Sequence, residues 1–430
     1  MAFYFGPEDR RSLQTKSVGR YDHVPFLLTA DLKYLDEMNQ FLRERALGEW
    51  TPGAARKSPF ARVRALSANT IVAYGRDLEN FCTYMEIKEI NWKTISYSEL
   101  LEQYDRDMST GAWSSTGENL KSSTINRRVD RAVEALQWAA DRGHRGPFIV
   151  PTETVSRAIV RTRSAKAQSA TTEVRVGRRR ADPRQLRLPT REEINRWLAE
   201  IRVRRGSTRA LACEAVIDIG WRLEEVALFQ ADQLPDPDTI SLDRPARMDI
   251  CYGTKGGRTL NDPEKRGKAR TVRFARDFLI KLNNYKQLGR VKALKAFTDR
   301  HPGERMPKQL FLDEVTGRPL GRGSIYVAWH RTKTLPFPGF SPHTGRHTFA
   351  CFTLLRLLTE EYQLIERTVD LIPRSAVLQN VESLIDVYIR PVLGHVSRET
   401  TERYLDWIAD HLWVSHHRAA WSAFLDGPCG

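Results

Sequence analysis

The stretch LGHVSRETTERYLDW, residues 393–407, decides how the rest of this chain is interpreted. A glycine and a histidine come first, and a helical pattern begins at the RETTERYLDW portion. Tyr404 lies within that predicted helix, nine residues after His395. Polar groups so placed in a mostly helical domain call for a chemical explanation, and similar groups occur earlier in the chain.

Three earlier sites carry side chains suited to binding an anion. Arg222 follows a glycine break, and Glu225, one helical turn later, can hold its guanidinium in one rotamer. His343 and Arg346 are also one turn apart, near the start of a predicted helix. Lys255 lies in GTKGG between two predicted strands, where a hairpin can present its ammonium. Two guanidinium forks and an imidazole can cradle a phosphodiester.

Taken singly, these residues have simpler explanations. Arg222 could form a surface salt bridge, Lys255 could occupy a solvated turn, and His343 could cap a helix. Their combined order along the chain favours a shared site.

Residues 60–145 predict a compact all-helical domain. Ser67 is a capping residue before a helix with apolar side chains at every third or fourth position. A second helix starts at a serine pair and ends at Gly143. Its outer faces carry three arginines that are candidate DNA contacts, with a solvated surface as the alternative: Arg127, Arg128 and Arg131.

The next stretch, 157–187, carries ten Lys and Arg residues against two acidic ones, with little apolar periodicity. It is therefore predicted to be an extended basic linker that follows a phosphate backbone, with a plain spacer as the alternative. Its candidate DNA contacts are Arg178, Arg179 and Arg180.

A second domain is predicted from Leu188, with a capping box of Thr190 and Glu193. Strand patterns follow in TISLD, RMDICYGTKGG and ARTVRFA, and the remainder is helical. The sequence thus predicts a mainly α fold with a small antiparallel β-sheet in this second domain.

Composition restricts the classes of function. The 430 residues include 68 Lys and Arg against 53 Asp and Glu, and this net charge of +15 favours a nucleic acid partner. No apolar run of about 18 residues predicts a membrane span, and the N-terminus does not resemble a secretory signal. Five scattered cysteines without CxxC pairs argue against a disulfide framework or zinc site and fit a reducing cytosol.

Together these motifs resemble the tyrosine recombinase family, also called the phage integrase family. The order is G-x-R-x-x-E, a hairpin lysine, H-x-x-R, L-G-H and a tyrosine. It is carried by GWRLEEVALFQADQL (220–234), GTKGGRTLNDPEKRGKARTVRF (253–274), SPHTGRHTFA (341–350) and LGHVSRETTERYLDW (393–407). The upstream helices resemble the core-binding domain of that family, so the resemblance implies a two-domain DNA clamp.

The resemblance implies a role for each matched residue. Tyr404 would attack the scissile phosphate, leaving a 3′-phosphotyrosyl link and a free 5′-hydroxyl. Arg222 and Arg346 would clamp the non-bridging oxygens, with His343 and His395 as further donors. His343 could instead assist deprotonation of Tyr404.

The remaining roles concern a lysine and a carboxylate. Lys255 would protonate the departing 5′-oxygen as general acid, with Lys265 and Lys268 as competitors for that role. Glu225 would orient Arg222 rather than touch DNA. Because Arg and His would supply the positive charge that a metal supplies in nucleases, neither a metal nor another cofactor is expected.

The chain departs from the family pattern at three places. Between Arg346 and His395 lie 48 residues, more than is usual, and the added stretch could be an assembly-modulating hairpin or a surface insertion. Gly345 stands where the family often has leucine, and Trp221 where a smaller residue is common. Neither substitution removes a chemical group, so activity is still expected.

The implied function is metal- and ATP-independent recombination of double-stranded DNA sites by a homotetramer, for integration or excision of a mobile element. DNA-bending or directionality factors could assist, no membrane partner is expected, and the location would be cytoplasmic and nucleoid-associated. The alternatives are a type IB topoisomerase-like activity and a DNA-binding relative that no longer cuts. The predicted domains are an N-terminal accessory or arm segment (1–60), a helical core-binding domain (61–150), a basic linker (151–187), a catalytic domain (188–411) and a tail (412–430). The tail is predicted to dock on a neighbouring subunit, with folding back on its own domain as the alternative.

Overall fold

The computed structural model describes residues 3–5, 23–53, 65–159, 168–180, 186–241, 245–254, 266–362, 380–394 and 398–411. The chain forms two compact units that divide between Pro183 and Arg184. Both are mainly helical and carry small two-stranded antiparallel sheets, so the predicted fold class is confirmed. None of the described helices is long and apolar enough to cross a membrane.

The first unit is a helical core with two small sheets. Its elements are β1 (Phe3–Phe5), β2 (Phe26–Leu28), α1 (Asp36–Leu47), α2 (Ala68–Ile87), α3 (Tyr97–Leu100), a π-helical turn (Leu101–Asp105), α4 (Arg106–Thr110), α5 (Ser122–Asp141), β3 (Thr152–Ile159) and β4 (Gln168–Arg175). Ser67 caps α2 as the sequence predicts, its hydroxyl accepting a hydrogen bond from the backbone N–H of Thr70 at 3.2 Å.

The N-terminal segment contributes to this helical core. Leu27 and Phe41 are fully buried in the same hydrophobic cluster as Leu78 and Trp138. The side chain of Asn39 bonds both the backbone N–H and the carbonyl of Leu27, at 2.6 and 2.9 Å. The Pro- and Gly-rich break that follows α1 interrupts the helical pattern of the sequence without ending the unit.

The described residues 151–159 and 168–180 differ from the predicted extended linker, because β3 and β4 pair over eight residues each as an antiparallel hairpin. Directly after the hairpin, the Tyr97 hydroxyl donates to the carbonyl of Val176 at 2.5 Å. Asn126 then bonds the backbone N–H and carbonyl of Arg179, at 3.0 and 2.8 Å. Hydrogen bonds between the two strands satisfy the backbone N–H and C=O groups of the hairpin. The excess positive charge of the surrounding sequence obscures this strand pattern.

The second unit contains the predicted small sheet, formed by β5 and β6 in antiparallel register. Its elements are α6 (Arg191–Arg205), α7 (Ser207–Asp218), α8 (Leu223–Leu228), two 3-10 turns (Ala231–Gln233 and Pro237–Thr239), β5 (Ala246–Ile250), β6 (Arg270–Phe274), α9 (Arg276–Asn284), a π-helical turn (Tyr285–Gly289), α10 (Arg290–Arg300), α11 (Arg322–His330), α12 (Pro342–Tyr362), a second π-helical turn (Ile385–Ile389), α13 (Arg390–Leu393) and α14 (Arg398–Ala409). The capping box of Thr190 and Glu193 begins α6 as predicted. The predicted strand TISLD is wrong over its described residues, because Asp236 caps a 3-10 turn there.

An aromatic cluster supports the start of α12. Trp197 packs edge-on against Trp329 with ring centroids 4.5 Å apart, and Trp329 packs on Phe340 at 5.1 Å. The indole N–H of Trp329 donates to the carbonyl of Phe340 at 3.0 Å. A β-carbon at Gly345 would lie 2.5 Å from the Trp329 ring, so this indole fills the space that a larger side chain at 345 would need.

Candidate active site

Arg222 occupies the N-cap position of α8. Glu225 is fully buried and accepts hydrogen bonds from the Arg222 backbone N–H at 2.7 Å and from its Nη1 at 2.8 Å. The side chain of Arg222 remains 37% exposed. The carboxylate therefore fixes the guanidinium in one orientation while solvent still reaches it.

Arg270 joins this pair from the start of β6. Its Nε and Nη2 donate to the two oxygens of Glu225 at 3.2 and 2.5 Å. Its side chain is 7% exposed, and Nη1 has no hydrogen-bond partner among the described residues. Burial opposes ionisation of Glu225, but the charges and hydrogen bonds of Arg270 and Arg222 hold the pKa of that carboxyl below its ordinary value.

Arg346, on α12, links the arginine pair to the C-terminal segment. Its Nη1 donates to the carbonyl of Gly220 at 2.5 Å, and its Nη2 donates to the carbonyl of Leu393. Arg222 donates to the same Leu393 carbonyl at 3.0 Å. Arg346 Nη1 also lies 3.9 Å from Glu225 Oε2. The Leu393 carbonyl is therefore held by two arginines.

The glycine of that segment meets two steric requirements. Gly394 has a φ of 78° in the left-handed region at the end of α13. A β-carbon there would lie 3.3 Å from Cδ of Arg270 and 3.7 Å from Nη2 of Arg222. His395 follows directly and lies outside the described residues.

Tyr404 lies in α14, and its side chain is 1% exposed. Its hydroxyl oxygen lies 2.9 Å from Nδ1 of His347 on α12. The ring of His343 packs edge-on against the His347 ring, with centroids 4.4 Å apart. Burial, with a smaller contribution from Cys351, raises the pKa of Tyr404 well above its ordinary value. The candidate nucleophile thus has a histidine as its hydrogen-bond partner.

Both histidines are neutral at neutral pH. Burial, followed by the nearby His343, Arg403 and Arg346, lowers the pKa of His347 to about 4. Burial, together with the charges of Arg346 and Arg403, also lowers the pKa of His343. A neutral imidazole has one N–H and one bare nitrogen, and the bare nitrogen can accept a proton.

The structure brings four predicted catalytic residues into one contiguous cluster: Arg222, His343, Arg346 and Tyr404. Of the three candidate lysines, Lys255 and Lys265 lie outside the described residues, and Lys268 is exposed beside the start of β6.

The segment that leads to Lys255 packs against the start of α8. A β-carbon at Gly253 would lie 2.7 Å from the carbonyl oxygen of Glu224 and 2.8 Å from the backbone nitrogen of Glu225. Since Glu225 belongs to the arginine cluster, the backbone two residues before Lys255 lies beside that cluster. Lys268 likewise stands two residues before Arg270, a member of the cluster, so this proximity does not separate Lys255 from Lys268.

Two residues of the cluster are not singled out by the family motif order. His347 comes four residues after His343, so helical spacing places both histidines on one face, a relation that the sequence does contain. Arg270 bonds Glu225 across 45 positions of the chain, and no sequence pattern indicates that contact.

The six arginines predicted to contact DNA belong to the first unit, and most of them pair with carboxylates. Arg127 donates two hydrogen bonds to Asp77, at 2.8 and 2.9 Å. Arg180 is exposed, and Arg128 is partly buried with its Nη1 4.0 Å from the Met108 sulfur. The other pairs are Arg131 with Glu134, Arg178 with Asp130 and Arg179 with Asp105. DNA contact by these arginines stays a prediction.

Comparison with known proteins gives a family match for the first unit. Residues 60–143 match the family model for the phage integrase N-terminal SAM-like domain. No curated protein matches the chain.

Among solved structures, the chain is similar to XerA recombinase at 16% identity and a TM-score of 0.32, covering 89% of this chain and 98% of that one. A lambda integrase dimer bound to a COC′ core site gives 11% identity and a TM-score of 0.42, and the match covers 80% of this chain and 90% of that one. The Tn1549 transposon integrase in complex with circular intermediate DNA gives 13% identity and a TM-score of 0.41, and the match covers 79% of this chain and 90% of that one.

Residues 60–143, which contain α2 to α5, are therefore similar to a phage integrase N-terminal SAM-like domain. The motif order of the second unit resembles that of the tyrosine recombinase, or phage integrase, family.

Proposed function

We propose that this protein is a site-specific DNA recombinase that breaks and rejoins double-stranded DNA through a phosphotyrosyl intermediate. The observation that carries the proposal is the single cluster in which the Tyr404 hydroxyl bonds His347, next to Arg346, which shares a carbonyl partner with Arg222. A nucleophile beside fixed guanidinium groups is what attack on a phosphodiester requires.

The charge of the cluster suits a phosphate in the transition state. Three guanidinium groups surround one carboxylate, Glu225, so these four side chains carry a net charge of two positive units. A pentacoordinate phosphorus formed from a diester and a phenolate carries two negative charges. Arg346 uses only two of its five N–H donors on carbonyl groups, which leaves donors for the non-bridging oxygens.

The reaction follows from these positions. Tyr404 attacks phosphorus, the bond to the 5′-oxygen breaks, and a lysine protonates that oxygen. The phosphotyrosyl bond conserves the energy of the original diester, so the reverse reaction rejoins a 5′-hydroxyl strand without ATP. Because the Tyr404 side chain is 1% exposed, the residues that cover it must shift to admit the phosphate while its hydroxyl stays bonded to His347.

The biological setting is proposed from the sequence. The additional N-terminal segment and the basic stretch 157–187 favour integration or excision of a mobile element over chromosome resolution. A DNA clamp built of both units, a homotetramer on paired sites, accessory DNA-bending factors and a nucleoid-associated cytoplasmic location complete the proposal. The segment 412–430, proposed to dock on a neighbouring subunit, lies outside the described residues.

A pool of nicked duplexes that tile the DNA on either side of the gene tests the proposal. At a nick beside the cleavage position, the short 5′-hydroxyl strand diffuses away and traps the enzyme on DNA. A covalent complex formed with chelator present supports the recombinase, and joined products from two sites separate it from a topoisomerase, which only relaxes supercoils. Complexes that dissociate in detergent indicate a DNA-binding relative.

Lys255→Ala is expected to slow cleavage of ordinary DNA by roughly 10²–10⁴-fold, the usual contribution of a general acid. Replacing the bridging 5′-oxygen by sulfur should restore the rate, because a thiolate leaves without a proton. Lys265→Ala and Lys268→Ala serve as matched controls and should cleave both substrates at the wild-type rate. Sulfur rescue of either control, and not of Lys255→Ala, would assign the role to that lysine.

A further inference from the structure

We infer that His347 is the general base that accepts the phenolic proton of Tyr404. The inference rests on the proposed function and deepens it, because the family motif order assigns no role to this position. It also decides between the two roles that the sequence leaves open for His343.

The geometry favours His347 over His343. The Nδ1 atom of His347 lies 2.9 Å from the Tyr404 hydroxyl oxygen, within the range for proton transfer along a hydrogen bond. His343 packs its ring on His347, so its influence on the tyrosine passes through His347. The hydroxyl is the natural donor in this pair when Nδ1 is the bare nitrogen of the neutral ring.

The surroundings keep His347 neutral until phosphate arrives. The groups that face it are His343 and Arg346 on α12, and Arg403 and Tyr404 on α14. The two arginine charges and burial disfavour an imidazolium, so the ring is free to accept a proton. A phosphate bound at Arg346 brings negative charge beside these arginines and raises the basicity of His347. Proton acceptance is thereby coupled to the presence of DNA.

The proposed step balances in atoms and charge. A bond forms between the Tyr404 oxygen and phosphorus while the bond from phosphorus to the 5′-oxygen breaks. The phenolic proton moves to Nδ1 of His347, and the 5′-oxygen takes a proton from the lysine acid. In the rejoining reaction His347 returns its proton to the departing phenolate.

Fluorinated tyrosine at position 404, introduced by codon suppression, tests this role. Fluorine lowers the phenol pKa below its ordinary value of about 10. An enzyme with fluorotyrosine at position 404 therefore depends less on a general base. His347→Ala should slow cleavage roughly 10²–10⁴-fold with ordinary tyrosine, and fluorotyrosine should recover most of that loss. His347→Gln, which keeps a polar side chain but cannot accept the proton, should behave in the same way and guards against misfolding of the alanine variant.

His343→Ala is the matched control: its loss of rate should be the same with tyrosine and fluorotyrosine. The inference is overturned if the His347 variants lose the same rate with tyrosine as with fluorotyrosine. It is also overturned if these variants cleave at the wild-type rate or faster. A recovery by fluorotyrosine in His343→Ala alone would also overturn it. If the wild-type enzyme forms no covalent complex, the proposed function itself fails, which is a separate result.

Discussion

Arg346→Ala is expected to slow DNA cleavage by about 10²–10³-fold, the usual cost of removing one preorganised donor at a developing oxyanion. The loss is expected in the chemical step, because many other phosphate contacts hold the DNA. Single-turnover cleavage of the nicked duplex, at protein concentrations that saturate binding, measures it. Arg346→Lys, which keeps the charge but not the fork, should recover only part of the rate.

Arg209→Ala is the matched control in the same unit. Arg209 also forms an ion pair, with Asp313 at 2.5 Å, but it makes no contact with the arginine cluster among the described residues. Its substitution should cost stability and leave the rate of bound enzyme unchanged. If Arg346→Ala weakens binding while the bound fraction cleaves normally, Arg346 does not act on the transition state.

Glu225→Ala is expected to destabilise the second unit by about 3–5 kcal/mol, the cost of breaking a buried ion pair on one side. The carboxylate accepts four hydrogen bonds, two from Arg222 and two from Arg270. Its loss leaves three guanidinium groups together with no counter-charge from Glu225. Unfolding in denaturant measures the change, and cleavage should fall with it because Arg222 loses its fixed orientation.

Glu224→Ala provides the control for that stability measurement. Glu224 is the neighbouring residue and lies 3.9 Å from Arg322 in a partly exposed ion pair, for which a loss of about 1 kcal/mol or less is expected. Equal losses for Glu224→Ala and Glu225→Ala would contradict the buried role of Glu225.

The lowered pKa of Glu225 also sets a pH dependence. Because its folded-state pKa lies below the unfolded value, its contribution to stability is present above about pH 4.3, the ordinary glutamate value. That contribution is lost as the pH falls through the lower folded-state pKa. The Glu225→Ala variant should therefore differ most from the wild-type protein near neutral pH and least in acid.

Sequence patterns define much of this site because they are local. Arg222 and Glu225 are three positions apart, so helical spacing alone relates them. The contact between His347 and Tyr404 spans 57 positions, and only the fold brings these residues together. Motif order still places Tyr404 in the correct helix, since a family pattern encodes the fold indirectly.

The β-hairpin of the first unit shows a different limit. Its strands are rich in Ser and Thr, and the stretch 157–187 carries ten Lys and Arg against two acidic residues, so net charge indicates a linker where backbone pairing produces a hairpin. The anchoring of Val176 by Tyr97 depends on a residue 79 positions away. Composition reports the charge of such a segment correctly but not the partners that fold it.

The central claim is that Tyr404 becomes covalently bound to DNA, and the residue that carries the DNA after trapping tests it most directly. Trapped complexes are digested with nuclease and trypsin, and the peptides are sequenced by mass spectrometry. We expect a nucleotide mass on the peptide that begins at Tyr404, directly after Arg403. Tyr404→Phe should bind the same duplex with nearly unchanged affinity and form no covalent complex. A covalent complex with the phenylalanine variant, or a nucleotide on any other residue, would contradict the account.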